Sequence, residues 1–284
     1  MIRLAIITGL LCLSSPAEEE TQGVDLALVS SVRSIAPGST FTFGVTIHHH
    51  PGFHTYWKNP GAVGYPIKCK WTLPPGFTVG PIRWPVPEMS DMAGHPVFGY
   101  ESDVTLLFDI SAPAKFESTP LTFYADLAWM ACSSECHPGK KRYSKTLMVA
   151  DKSDVDPTTL DLFSAAEKRI PQALSDWTSK LDGKPDSETI TLTLQPPAGL
   201  QDPGSIRIFS SDGQISSEPD PSITRLEGGR YRISAPRSAF SPAQPTSLPL
   251  VIVAENPLSP DGRHFGTLDP SYSKPSPAEN DQTP

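Results

Sequence analysis

Alternation of apolar and polar side chains with a period of two is the feature that most restricts the fold. In the segment STFTFGVTIHHH, Phe41, Phe43, Val45 and Ile47 fall on one face of an extended chain. This pattern predicts a half-buried strand. Further strands are predicted at 24–32, 67–71, 104–110, 121–130 and 143–149. Pro- and Gly-rich turns separate them, which predicts an immunoglobulin-like antiparallel sandwich over residues 24–150.

The pattern changes after residue 150. The segment DVDPTTLDLFSAAEKRI has Asp156 as a predicted N-cap, Pro157 at the first helical position and apolar residues at helical spacing. We therefore expect a helical linker over 156–181. The segments TITLTLQ, SIRIF, RYRIS and LPLVIVA predict strands of a second, smaller β-domain over 186–256. Residues 257–284, rich in Pro, Ser and charge, are expected to be a disordered tail.

The N-terminus predicts export. Residues 1–17 combine Arg3, a short apolar run and small residues before a glutamate cluster, as in a cleaved secretory signal peptide. No later segment is apolar enough to cross a membrane. We therefore expect a soluble protein, in a periplasm or otherwise exported, where disulfides persist. The formal net charge of −8 argues against a nucleic-acid partner, which would select a basic surface.

Two cysteines, Cys132 and Cys136, lie in the segment WMACSSECHPG and have three residues between them. A tight turn there can bring the two sulfurs together. A disulfide that closes so short a loop removes little entropy from the unfolded chain, so it would be a poor staple. Exposed at a turn, it would instead be open to attack by a thiolate. His137 could favour the Cys136 thiolate when protonated, whereas Glu135 opposes it.

Other uses of these residues remain open. The pair could be an incidental surface disulfide, and Cys-x3-Cys-His is a stretched form of the haem attachment signal. Thiolates also select copper(I) or zinc, and several histidines could add ligands. They are His48, His49, His50, His54 and His95. The first three alternate between strand faces, which disfavours a common site, so neither metal nor another cofactor is expected. Cys69 is predicted to lie in the core or free on the surface.

Four segments then resemble a known family: PGFHTYWKNPGAVGYP, WTLPPGFTVGPIRWPVPE, FGYES and LAWMACSSECHPGKK. In this order they resemble the N-terminal periplasmic domain of DsbD-type transmembrane thiol:disulfide interchange proteins, and more closely the ScsB-like branch. The resemblance covers about residues 24–150 and, weakly, the rest. It implies an immunoglobulin-like domain whose dithiol carries electrons from a membrane-embedded transporter to periplasmic acceptors such as thioredoxin-like proteins. It also suggests roles in cytochrome c biogenesis and copper tolerance.

Carried over by motif, the resemblance implies that Cys132 and Cys136 are the redox pair and that Cys136 is attacked first. It implies that Phe98, with Tyr100 as a competing candidate, belongs to a cap loop that shields the disulfide. His54 and Tyr56 match aromatic positions beside the cysteines, although ordinary core packing is an equal reading for Tyr56.

Two departures from the family pattern matter. DsbD continues into a transmembrane domain, so here we expect the electron source to be another polypeptide. The best-known DsbD domain has five residues between its cysteines, whereas this chain has three. The predicted function is therefore an exported thiol:disulfide interchange protein. A copper(I)-binding module and an inert β-sandwich adaptor are the alternatives.

Overall fold

The computed structural model describes residues 22–117 and 119–272. The predicted signal peptide and residues 273–284 of the predicted tail lie outside the described residues. The strands of the first part of the chain are β1 Val24–Ser30, β2 Val32–Ile35, β3 Thr40–His49, β4 Thr55–Gly61, β5 Lys68–Thr72, β6 Thr78–Val79, β7 Glu88–Met92, β8 His95–Tyr100, β9 Val104–Ser111, β10 Leu121–Cys132, β11 Cys136–Val149 and β12 Asp154–Val155.

Two sheets form a sandwich in this part of the chain. One has the strand order β1-β3-β9-β6 and the other has the order β12-β2-β11-β10-β5. The alternating apolar side chains of β3 and β10 face the space between the sheets, where Phe43 and Phe123 are fully buried. Their ring centroids lie 5.2 Å apart. The single strand predicted over 24–32 is two strands, because the chain crosses between the sheets at Ser31, whose N–H donates to Thr42 O.

A third sheet, with the order β4-β8-β7, packs beside the tip of the β10–β11 hairpin. The segment that carries Phe98 and Tyr100, which we expected to be a cap loop, is strand β8. Because Pro96 and Gly99 are residue types typical of turns, the sequence does not indicate a strand here. At Gly99, an added Cβ would lie 2.0 Å from the Thr55 carbonyl oxygen, so only glycine allows β8 to lie this close to β4.

One α-helix, α1 Leu160–Lys168, follows the sandwich. Phe163 and Ala166 of the helix are buried and pack against Leu107. Asp156 is not the N-cap, because its Oδ1 accepts hydrogen bonds from the N–H and hydroxyl of Thr158 in the turn before the helix. Within the described part of the chain, no helix is long and apolar enough to cross a membrane.

The remaining strands build two further sheets. They are β13 Thr178–Asp182, β14 Thr189–Gln195, β15 Ile206–Ser210, β16 Ser222–Arg225, β17 Tyr231–Pro236, β18 Leu250–Ala254 and β19 Phe265–Leu268, with a short 3-10 turn at Glu227–Gly229. The sheet orders are β13-β14-β17-β16 and β15-β18-β19. Leu192, Ile233 and Ile252 are buried in a core separate from that of the first sandwich. The fold class predicted from the sequence is confirmed: mainly β, an immunoglobulin-like sandwich, a short helix and a smaller β-region.

The second β-region continues beyond residue 256, where we expected a disordered tail. Strand β19 pairs with β18, Leu258 is fully buried, and Tyr272 is 8% exposed. The Trp177 indole N–H also donates to Leu258 O at 2.8 Å. These contacts order the segment although it is rich in proline and polar residues.

Phe209 of β15 joins the two β-regions. Its ring lies 5.0 Å from that of Phe98 and 6.2 Å from that of Trp57, in edge-to-face arrangements. All three side chains are buried. The Asn59 side-chain amide also donates to Ser210 O at 2.7 Å. Strands β4 and β8 are therefore packed on one side against the second β-region.

Candidate functional site

The paired cysteines lie at the tip of the hairpin formed by β10 and β11. Cys132 and Cys136 are directly opposed in the strand register and form a disulfide, with their Cα atoms 4.1 Å apart. The three-residue turn between them is closed by a hydrogen bond from Ser133 N to Glu135 O. Near the tip, an added Cβ at Gly139 would lie 2.3 Å from Trp129, so glycine makes room for the indole ring. The turn predicted from the cysteine spacing is present.

The two cysteines differ sharply in exposure. Cys132 is 0% exposed, whereas Cys136 is exposed. Cys132 packs in a small cluster with Tyr56 and Val97, and partly buried Met92 and Met130 complete it. A thiolate in solution can therefore reach Cys136 but not Cys132. Val97 and Met92 were not predicted as cover residues, because the sequence pattern of β7 and β8 does not indicate strands.

Tyr56 links the disulfide to His54. Its hydroxyl oxygen lies 3.9 Å from Cys136 Sγ and 3.3 Å from His54 Nε2. Burial lowers the pKa of His54 and raises the pKa of Tyr56, because desolvation disfavours the charged form of each. Both groups are therefore neutral near pH 7, and the phenol can donate a hydrogen bond to the nearby sulfur.

The positions of His54 and Tyr56 are fixed by backbone contacts. His54 N donates to Cys132 O at 2.8 Å, and Cys132 N donates to His54 O at 3.0 Å. Gly64 lies against the Tyr56 ring with a φ of 102°, and an added Cβ would be 2.1 Å from it. The structure thus brings both predicted aromatic positions to the cysteine pair.

Phe98 and Tyr100 are placed elsewhere. Alternate residues of a strand face opposite sides, so Phe98 and Tyr100 lie on the face of β8 opposite to Val97. The Phe98 ring packs on Phe209, and the Tyr100 hydroxyl donates to Pro85 O at 2.9 Å. Both side chains are buried in the main core. Val97, not Phe98, is the residue of β8 that packs against Cys132.

His137 also lies away from the sulfur. It pairs with Ala131, so its side chain points to the inner face of the hairpin. The Cys136 side chain points to the outer face. The His137 ring packs 5.8 Å from that of Phe53. This position does not support the expectation that a protonated His137 favours the Cys136 thiolate.

The run of three histidines divides between the two faces of β3, as the alternation predicts. His48 and His50 are partly exposed and pair with Asp103 and Asp25, at 2.7 and 3.0 Å. His49 is buried, and its Nε2 lies 2.9 Å from Thr55 Oγ1. Burial lowers the pKa of His49 to about 4 because the charged form is desolvated. No group of three or more His, Cys, Asp or Glu side chains in residues 22–117 and 119–272 could hold a metal ion.

Cys69 is a free thiol on β5, opposite Leu127 of β10. It is partly buried and packs against the main core. Burial raises the pKa of its thiol to about 12, with a smaller contribution from Asp126. The thiol is therefore protonated near neutral pH and is a poor nucleophile.

The chain is similar in sequence and fold to known proteins. Residues 25–148 match the family described as thiol:disulfide interchange protein DsbD, N-terminal. A search of curated protein sequences found no match. Among solved structures, the crystal structure of the N-terminal periplasmic domain of ScsB from Proteus mirabilis aligns with a TM-score of 0.65 and 17% identity. The alignment covers 89% of this chain and 94% of that chain.

Two other solved structures are much less similar. A marsupial T cell receptor has a TM-score of 0.20 and 9% identity, over 89% of this chain and 98% of that chain. Spo0M, a sporulation control protein from Bacillus subtilis, has a TM-score of 0.23 and 6% identity, over 88% and 90%. Neither score carries an argument about this fold.

The family match includes both cysteines of the hairpin tip, and the ScsB alignment extends the similarity in fold to the second β-region. Residues 25–148 are therefore similar to the N-terminal domain of DsbD-type thiol:disulfide interchange proteins, and the chain shares the fold of the N-terminal periplasmic domain of ScsB.

Proposed function

We propose that the Cys132–Cys136 pair carries reducing equivalents between other proteins by thiol–disulfide exchange. The observation that carries this proposal is the asymmetry of the pair, with Cys136 exposed and Cys132 fully buried at the tip of a hairpin. An accessible disulfide next to a protected sulfur suits a reaction in which one position is attacked and the other resolves the intermediate.

The exchange has two half-reactions: a donor reduces the disulfide, and the reduced pair then reduces an acceptor. To load the protein, a donor thiolate attacks Cys136 Sγ, the internal disulfide breaks, and Cys132 leaves as a thiolate. A second donor thiol then releases Cys136, so two donor thiols become one disulfide and the protein gains two thiols. To unload it, the Cys136 thiolate attacks an acceptor disulfide, and Cys132 attacks Cys136 Sγ to restore the internal disulfide. The acceptor leaves with two thiols.

Tyr56 is the side chain best placed to assist. Its neutral hydroxyl, 3.9 Å from Cys136 Sγ, can donate a hydrogen bond to the thiolate that forms there. His54 Nε2 is the alternative partner of the same hydroxyl. Hydrogen bonds to charged groups are stronger than those between neutral groups, so this contact would stabilise the Cys136 thiolate relative to the thiol.

The remaining parts of the proposal concern place and partners. The family match and the resemblance to a periplasmic domain support a role after export, with the redox chemistry in residues 24–150 and a second β-domain that begins at strand β13. A membrane-embedded thiol:disulfide transporter would be the donor, and periplasmic thioredoxin-like proteins would be the acceptors. Cleavage of residues 1–17 is part of the same proposal.

The order of attack can be tested with single cysteine variants in a Cys69→Ser background. Reduced Cys132→Ser should react rapidly with the disulfide reagent 5,5′-dithiobis(2-nitrobenzoate) and remain as a stable mixed disulfide. Reduced Cys136→Ser should react at least about tenfold more slowly, because its remaining thiol is buried. The parent with both thiols should release two equivalents of the coloured thiol and end as the internal disulfide. Equal rates for the two single variants would contradict the assignment of Cys136.

A further inference from the structure

The outer face of strands β5, β10 and β11 carries a concentration of positive charge. Side chains of the same parity stand side by side across the three strands. These side chains form two adjacent cross-strand rows. One row contains Lys68, Ala128 and Lys140, and the other contains Lys70, Asp126 and Arg142. All four cations are exposed. We call Lys68, Lys70, Lys140 and Arg142 the basic face.

Only part of this charge is neutralised within the molecule. Arg142 donates two hydrogen bonds to the Asp126 carboxylate, both at 2.8 Å. That pairing, with smaller contributions from the charges of Lys140 and Lys70, lowers the pKa of Asp126. In residues 22–117 and 119–272, no ion pair within 4.0 Å involves Lys68, Lys70 or Lys140. The chain as a whole has a formal net charge of −8, so this face contrasts with the rest of the protein.

The basic face leads directly to the reactive sulfur. Cys136, Lys140 and Arg142 have the same parity on β11, so they lie on one side of the hairpin. At about 3.3 Å per residue, Lys140 lies about 13 Å and Arg142 about 20 Å along the strand from Cys136. A small thiol bound at the disulfide would be beyond the reach of most of this charge, because the Debye length is about 8 Å at physiological salt. A protein partner seated on Cys136 would cover it.

We infer that the basic face docks an acidic surface of the protein that exchanges its disulfide with Cys136. This inference rests on the proposed thiol–disulfide exchange and adds the charge of the partner. Opposite charge at the docking surface speeds productive encounter and holds the attacking sulfur near Cys136. The partner that fits has carboxylates about 13–20 Å from its reactive cysteine.

Three synthetic peptides can serve as probes. Each has blocked ends and a single cysteine as its first residue, followed by uncharged spacer residues. The first carries aspartates at about the fifth to seventh positions, which an extended peptide places beside Lys140 and Arg142. The second carries asparagines there, and the third carries lysines. The measurement is the second-order rate at which each peptide thiolate attacks Cys136 to form a mixed disulfide and release the Cys132 thiol, which is trapped by alkylation and followed by mass spectrometry.

In the unmodified protein at low salt, the aspartate peptide should react about tenfold faster than the asparagine peptide, and the lysine peptide should be the slowest. The difference should shrink at about 0.3 M salt because exposed charges are screened. The triple variant Lys68→Gln, Lys70→Gln and Lys140→Gln should lose most of the preference. A matched control changes three exposed lysines away from this face, Lys115→Gln, Lys152→Gln and Lys184→Gln, and should keep it.

The outcomes separate this inference from the proposed function. Equal rates for the aspartate and asparagine peptides in the unmodified protein would overturn the docking inference and leave exchange at Cys136 standing. An equal loss of preference in the two triple variants would also overturn it, because net charge would then be the cause. If the asparagine peptide failed to reduce the disulfide at any concentration, the proposed function itself would fail.

Discussion

Replacing Phe98 with alanine should lower the stability of the protein strongly and leave the reactivity of the disulfide nearly unchanged. The family resemblance alone implies the opposite result, because a movable cap contributes little to stability and much to protection. The structure places Phe98 in the packing between the two β-regions, while Val97 on the other face of β8 packs against Cys132. The variant therefore distinguishes a cap residue from a core residue.

The magnitude follows from the packing of the ring. Phe98 is 6% exposed and Phe209 is 2% exposed, with their centroids 5.0 Å apart at an interplanar angle of 85°. Removing a buried phenylalanine ring costs about 3–5 kcal/mol of unfolding free energy. An edge-to-face aromatic pair contributes about 0.5–1.5 kcal/mol beyond the buried area. Phe98→Ala and Phe209→Ala should therefore each cost about 3–5 kcal/mol, and the double variant should cost less than their sum.

The unmodified protein, the two single variants and the double variant form a double-mutant cycle, and urea unfolding gives the stability of each. The rate of disulfide reduction by dithiothreitol is measured in the absence of urea. Because Cys136 is already exposed, we expect Phe98→Ala to change that rate by less than about twofold while the protein remains folded. A rate increase of about tenfold or more, with a stability loss below about 1 kcal/mol, would refute the core assignment. Phe209→Ala serves as the matched control, since it removes the same packing from the other side.

Further predictions concern single side chains. Tyr56→Phe removes the hydroxyl near Cys136 Sγ, so in a thiolate absorbance titration of the reduced protein the Cys136 thiolate should form only at higher pH. Because burial lowers the pKa of His49 to about 4, the unfolded chain binds more protons than the folded one between pH 6.5 and 4. Stability should therefore fall as pH falls through that window, by up to about 3 kcal/mol, and His49→Gln should flatten the fall in urea titrations. Cys69 should resist iodoacetamide at pH 8 in the folded protein and react after unfolding, as peptide mass spectrometry would show; prompt labelling would contradict its burial.

The sandwich was predictable where alternation is unbroken. Strands β3 and β10 appear where the apolar parity predicts them, because nothing interrupts the pattern and one face of each must be buried. Strands β7 and β8 were not predicted, since Pro96 and Gly99 are typical of turns and the need for glycine arises only from the close approach of β4. Strand β19 was missed because its short segment has too few apolar residues to show a period.

The site was predictable only in part for a related reason. The spacing of Cys132 and Cys136 predicts the turn, because that geometry is local to five residues. The cover over Cys132 depends on how β8 sits on the hairpin, which is a long-range contact that no local pattern in the sequence encodes. The resemblance pointed to the right strand, but to Phe98 rather than Val97. These two residues are neighbours in β8, and their side chains face opposite sides of the strand.

The central claim, that Cys132 and Cys136 form a reversible disulfide that exchanges with other proteins, is tested most directly by a redox titration. The purified Cys69→Ser protein would be equilibrated with a series of glutathione and dithiothreitol buffers, and the fraction of free thiol at the pair would be measured by alkylation. We predict a single two-electron transition with a midpoint above roughly −300 mV, in the range of catalytic and exchanging disulfides. A midpoint far below that value, typical of structural disulfides, would contradict the claim.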